Sequence, residues 1–323
     1  MSLPIEDRLR AHFAERSALE TLPTGDHGLP PRRIKPSWQR PVLVAVAAAG
    51  LVVVAIATSV AVVNISRNQH DVAAPGDIPP TTSVVVAVQG VMGGWDGSAW
   101  ASADQIDAPS FLHGGEQYWV LGLDQSPTRG TGSPPRSACP SVGSDGQRVD
   151  VPGLERSADP LAPMPIAVTG VTDPVPRPTS AVLTGTRPYR DIAVDALADY
   201  GVTDPDPPLV QLYRTDFEGD GVDEVLIVAE RLQDPVGLAP AEGDYSIMLV
   251  HRTVDGTART VLVSGWRYSG GPGRNIARVS AVADLNGDGV MELVVDSRFT
   301  DRTATSVLTV GTTIETVLTT TCG

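Results

Sequence analysis

Two nine-residue stretches gather the side chains of this chain that could do chemistry. They are Asp216-Phe217-Glu218-Gly219-Asp220-Gly221-Val222-Asp223-Glu224 and Asp284-Leu285-Asn286-Gly287-Asp288-Gly289-Val290-Met291-Glu292, and their starts lie 68 residues apart. In both, oxygen-bearing side chains stand at positions 1, 3, 5 and 9, with glycine at position 6. A hard cation such as Ca²⁺ gathers roughly six to eight oxygens around one point, and a tight loop with alternate residues turned inward supplies them. Gly289 permits the sharp turn that lets the Val290 carbonyl join such a set. The same residue types also make an Asp/Asn/Gly hairpin turn held by side-chain-to-backbone bonds without any metal. An EF-hand is excluded. Its loop ends on a bidentate glutamate at position 12 between helices, whereas Ile227 and Val295 stand there, in β-type runs.

The flanking sequence must position these loops, and it reads as strand. Gly (32) and Pro (28) are abundant, which favours turns and short strands over long helices. Strands are expected near 209–214, 224–230, 245–251 and 258–264, then near 278–283, 292–297, 304–310 and 313–319. Each group of four opens with one Asp-rich hairpin, so the pattern reads as a duplicated four-stranded unit, at 209–265 and 278–319. Short connections make the strands antiparallel. Further strands are expected at Ser83–Gln89 and Gln117–Leu123, and one helix from Asp191 to Tyr200, stopped by Gly201.

The two loops, each followed by an apolar run (Glu-Val-Leu or Glu-Leu-Val), resemble the calcium loops of FG-GAP/VCBS-type β repeats, which build propeller blades. The resemblance covers about residues 209–319. It implies Ca²⁺ on Asp216, Glu218, Asp220 and Glu224 at one site and on Asp284, Asn286, Asp288 and Glu292 at the other, completed by the Val222 and Val290 carbonyls. Glu218 is longer than the family's usual Asp or Asn, which implies a looser first site. The fold class expected is mainly β, with antiparallel blade-like units too few for a seven-bladed ring.

The remaining chain suggests location. Residues 42–63 form 22 positions without a charge, and as a helix would span roughly 33 Å, enough for a hydrocarbon core. Residues 1–41 carry seven Lys/Arg and five Asp/Glu, the rest 17 and 33. The basic flank predicts a single-pass membrane protein with a cytoplasmic N-terminus and its C-terminal domain outside. The expected division is a cytoplasmic segment 1–41, a span 42–63, a linker 64–82 and a β-rich domain 83–323. The acidic balance of that domain argues against nucleic acid as a partner. Cys139 and Cys322 are the only cysteines, and an even pair in an oxidising compartment reads as one disulfide.

Catalytic patterns are weak. The five histidines show no metal-type spacing, and neither a nucleophile elbow nor a phosphate loop is present. The favoured function is non-catalytic binding at the cell surface or envelope, to cell-wall glycan or a surface protein, with Trp95, Trp100 and Trp119 as possible sugar-stacking faces. Two alternatives stand beside it: a transmembrane sensor docking a regulator through residues 2–22, and an envelope hydrolase using a carboxylate pair.

Overall fold

Runs such as Glu224-Val-Leu-Ile-Val-Ala-Glu-Arg231 are β-branched and apolar on both faces, and a strand of that kind needs cover above and below. The computed structural model supplies it. It describes residues 83–322 apart from 107, 109–111, 124, 138–146, 160, 235–239, 255, 270–272 and 312. The chain divides at Val72/Ala73, and all described residues belong to the second unit.

Three antiparallel sheets dominate. The first, in the order β3-β2-β1-β8-β4-β5, uses β1 (Ser83–Ala87), β2 (Gly90–Trp95), β3 (Trp100–Ser102), β4 (Gln117–Gly122), β5 (Gln125–Thr131) and β8 (Ile166–Thr169). The short β6 (Arg136–Ser137) and β7 (Gln147–Arg148) pair separately. The second sheet is β9 (Ser180–Ala181), β10 (Leu209–Thr215), β11 (Glu224–Arg231), β12 (Tyr245–Val254) and β13 (Thr257–Arg267), in chain order across the sheet. The third is β14 (Asn275–Ala283), β15 (Glu292–Phe299), β16 (Thr303–Val310) and β17 (Ile314–Cys322), also in chain order. The eight strands expected after residue 208 are therefore all present and antiparallel. The helix α1 (Arg187–Asp199) starts four residues earlier than its sequence signals suggested, with Pro188 in its first turn.

The core is layered by strand alternation. On β11, Val225, Ile227 and Ala229 pack with Tyr189, Ala193 and Leu197 of α1. Leu226 and Val228 point the other way, toward Val279 of β14 and Leu293 and Val295 of β15. The far side of the third sheet, with Ala281, Val294 and Val307, meets Val85, Ile166 and Val168 of the first. Each fully buried Val, Leu or Ile contributes about 1.5–3 kcal/mol, so these double-sided strands hold the loops at their ends on a rigid base. Two polar contacts fix how the second and third sheets meet. Arg278 on β14 pairs with Glu230 on β11 at 2.5 Å with both side chains buried, and Gln211 exchanges two hydrogen bonds with the Val279 backbone.

The expectation of a single-pass membrane protein with its C-terminal domain outside is corrected. Among the described residues no helix is long and apolar enough to cross a membrane. α1 has 13 residues, roughly 20 Å of helix against a hydrocarbon core of about 30 Å. The apolar stretch 42–63, the segment 1–41, the linker 64–82 and Cys139 lie outside the described residues. Among the described residues no cysteine is free.

Candidate metal centre

Each Asp-rich stretch closes a hairpin. The first joins β10 to β11 and the second joins β14 to β15, with Thr215 paired to Glu224 and Ala283 to Glu292. That register places the position-9 glutamate beside the residue preceding position 1, so the ends of the loop meet. Position 2 is the apolar anchor: Phe217 and Leu285 are fully buried beneath their loops. The glycines at positions 4 and 6 have φ of 78° and 84° in the first loop and 80° and 89° in the second, a region side-chain-bearing residues rarely enter.

The scaffold is the same in both loops. The position-1 aspartate accepts from the backbone N–H groups of both glycines: Asp216 from Gly219 at 2.7 Å and Gly221 at 2.9 Å, Asp284 from Gly287 at 2.6 Å and Gly289 at 2.9 Å. The position-5 aspartate accepts from the position-7 N–H, Val222 at 2.8 Å and Val290 at 2.7 Å. The position-9 glutamate reaches back to the position-2 N–H, Phe217 at 3.0 Å and Leu285 at 2.8 Å.

The loops differ in where their carboxylates gather. In the first, Asp216, Glu218 and Glu224 can each offer an oxygen such that all three lie within 4.8 Å of one another. Glu218 accepts at one oxygen, from Arg252 Nη2 at 2.6 Å; its other oxygen, Oε2, is buried without a hydrogen-bond partner among the described residues. Burial pushes the Glu224 carboxyl up to about 8, with the neighbouring Glu218 adding to it and the Phe217 N–H opposing it. In the second loop burial likewise pushes Glu292 up to about 8, reinforced by the charges of Asp288 and Asp284. There Asn286 Nδ2 donates to Asp288 at 2.9 Å, so positions 3 and 5 are tied to each other.

Of the residues picked out by spacing, Asp216, Glu218 and Glu224 thus converge. Asp220, Asp288 and Asn286 spend hydrogen bonds on their own loops, and Val222 is exposed at the rim. Two residues that sequence spacing could not reveal stand against the loops, Arg177 and Arg252. They are 39 residues before Asp216 and 34 after Glu218, with no motif around either.

The donor set of the first loop suits a hard cation: three clustered carboxylates, one holding a buried oxygen without a hydrogen-bond partner among the described residues. The three tryptophans considered as sugar-stacking faces have neighbours within the domain. The Arg129 guanidinium lies 3.6 Å from the Trp119 ring centre, and Trp95 and Trp100 pack edge to face at 5.5 Å. A cleft of about 450 Å³ opens between the β4–β5 turn, β14 and the segment around Val175, Pro178 and Thr179. No family model, curated protein or solved structure matches this chain.

Proposed function

We propose that this chain is a calcium-binding β domain whose ions are structural and whose role is non-catalytic binding of a partner. The observation that carries the reading is the convergence of Asp216, Glu218 and Glu224, whose nearest carboxylate oxygens lie within 4.8 Å of one another, beside a buried Glu218 oxygen that has no hydrogen-bond partner among the described residues. Three carboxylates this close repel one another unless protons or a cation neutralise them. Asp216, Glu218, Asp220, Glu224 and the Val222 carbonyl would hold one ion. Asp284, Asn286, Asp288, Glu292 and the Val290 carbonyl would hold the second. Bound calcium supplies positive charge at each turn; the residues themselves set the turn and exclude other conformations.

The two hairpins open two consecutive four-stranded meanders, β10–β13 and β14–β17, which supports reading them as blade-like repeats. The cleft is where a partner would rest. Its described lining residues, including Leu121, Leu123, Tyr213 and Val282, carry no charged side chain, and that apolar character favours a segment of a surface protein over a glycan.

Calorimetric titration of the full-length chain with calcium, and melting curves in calcium and in chelator, test the metal reading. Two bound ions are expected, and about 2.7 kcal/mol of added stability for a single site at a hundredfold excess over Kd. Absent heat and an unchanged Tm would reduce both loops to Asp/Gly hairpins held by their own hydrogen bonds.

A further inference from the structure

The connection from β8 to β9 carries Arg177, which touches both loops at once. Its Nε donates to the Asp216 carbonyl at 2.6 Å, and its Nη2 donates to the Phe217 carbonyl at 2.6 Å and to the Gly289 carbonyl at 2.7 Å. A guanidinium presents its N–H groups in a rigid planar fork, so a single nitrogen here joins position 2 of the first loop to position 6 of the second. The Phe217 carbonyl also accepts from the Met291 N–H at 3.0 Å, which makes it a shared point of the two loop backbones.

The contacts fall where they control ligand placement. Asp216 is the residue whose side chain organises the first loop, and Arg177 fixes its carbonyl. In the second loop the peptide between Gly289 and Val290 is held at both ends: Arg177 takes the carbonyl and Asp288 takes the Val290 N–H. That plane sets the direction of the Val290 carbonyl that follows. A Cβ on Gly219 would stand 2.9 Å from Arg177 Nη1, so the guanidinium packs against position 4 of the first loop as well.

We infer that Arg177 is the positioning residue that couples the two loops, so that a cation held by one raises the affinity of the other. The inference rests on the calcium reading above. Coupling needs a physical element whose arrangement both sites bias. One fork bonded to both backbones is such an element, because ordering either loop fixes the fork for its neighbour.

The test is a cycle of calcium titrations on the full-length chain: unmutated, Asp288→Ala, Arg177→Gln, and both together. Asp288→Ala disables the second loop and is expected to weaken calcium at the first by about five-fold or more, the usual range of site coupling. In the Arg177→Gln background the same change is expected to alter first-loop affinity by less than about two-fold, within the additivity of independent sites. A merely structural arginine would lower Tm but leave the effect of Asp288→Ala the same in both backgrounds, and that result overturns the inference. Two ions bound independently by the unmutated chain also overturn it while leaving the calcium reading intact. If the unmutated chain binds no calcium, both fall.

Should Arg177→Gln fail to fold, Asp288→Ala alone still decides. Loading its first loop with calcium is expected to slow hydrogen exchange at the Gly289 amide of the second loop several-fold. An unchanged rate there overturns the coupling.

Discussion

The loops at 216–224 and 284–292 share one backbone and divide their labour at a single position. Both wrap an aspartate with glycine N–H groups, and both close on a buried glutamate. At position 3 the first has Glu218 and the second Asn286. The extra reach of Glu218 brings it to Glu224 on one side and Arg252 on the other, and its carboxylate joins a cluster. Asn286 is shorter and carries its own donor, so it closes on Asp288. Glu218 therefore stands in a carboxylate cluster, while Asn286 bonds within its own loop. A ligand pattern specifies which oxygens are present; side-chain length and neighbours decide which of them remain available.

The two loops are expected to differ most at their position-1 aspartates. Asp284 is buried, and its loss leaves two glycine N–H groups without their charged acceptor. With chelator present, Asp284→Ala is expected to cost about 3 kcal/mol, a Tm fall of about 6–12 °C at this size. Asp216 is more exposed, so water can replace it and Asp216→Ala should cost less than half as much. Equal losses in thermal melts would mean that the loops are scaffolded alike in energy as well as in geometry.

The position-9 glutamates give a pH test. Both Glu224 and Glu292 are raised from an ordinary value of 4.5 to about 8, chiefly by burial. Folding therefore takes up protons between those values, and the stability linked to them is full below pH 4.5 and falls as pH rises through about 8. In chelator, Tm is expected to drop from pH 5 to pH 8, and Glu224→Gln or Glu292→Gln should each flatten part of that slope. Calcium should remove the slope at whichever loop binds it. A pH profile that calcium leaves unaltered would show that neither glutamate faces an ion.

Much of this was legible in the sequence, for a definite reason. The β10–β17 strands announce themselves because their runs are apolar and β-branched and their hairpins carry glycines at positions that require positive φ. Local chemistry sets such features, so local reading finds them. β9 is two residues, Ser180–Ala181, and exists only because β10 offers it an edge. Arg177 and Arg252 escaped for the same reason: nothing nearby in the chain marks them, and their partners arrive only when separate strands pack. The membrane expectation rested on residues 1–63, while the described domain carries no helix able to span. Glu230 and Arg278 look like ordinary surface charges in the sequence, yet they meet inside the interface between two sheets.

Exchanging position 3 sharpens the contrast between the loops. Glu218→Asn gives the first loop the second loop's residue, removing one carboxylate of the cluster and the carboxylate partner of Arg252. Calcium affinity at the first loop is expected to fall about ten-fold, or ~1.4 kcal/mol, while the second loop falls only by the coupling Arg177 transmits. Calorimetry of the variant in the Asp288→Ala background isolates the first loop. An affinity equal to that of Glu218 would mean that position 3 contributes its backbone and not its side chain.

The smallest expected effect asks whether Arg252 assists the first site or competes with it. The Glu218–Arg252 pair is partly buried, at 28% and 10% side-chain exposure, and Arg252 Nη1 also donates to the Gly311 carbonyl. Two cations cannot both take full advantage of one carboxylate, and a fixed guanidinium repels an incoming divalent ion. Arg252→Ala should therefore strengthen calcium binding at the first loop by a few-fold, on the order of 0.5–1 kcal/mol, the scale of a partly exposed ion pair. The calcium-free protein should melt slightly lower, because the clustered carboxylates lose a counter-charge. Tighter binding with a lower calcium-free Tm marks Arg252 as a stand-in for the ion. Weaker binding would make it instead a brace that holds Glu218 in place for the metal, and the first loop would then depend on two arginines where the second depends on one.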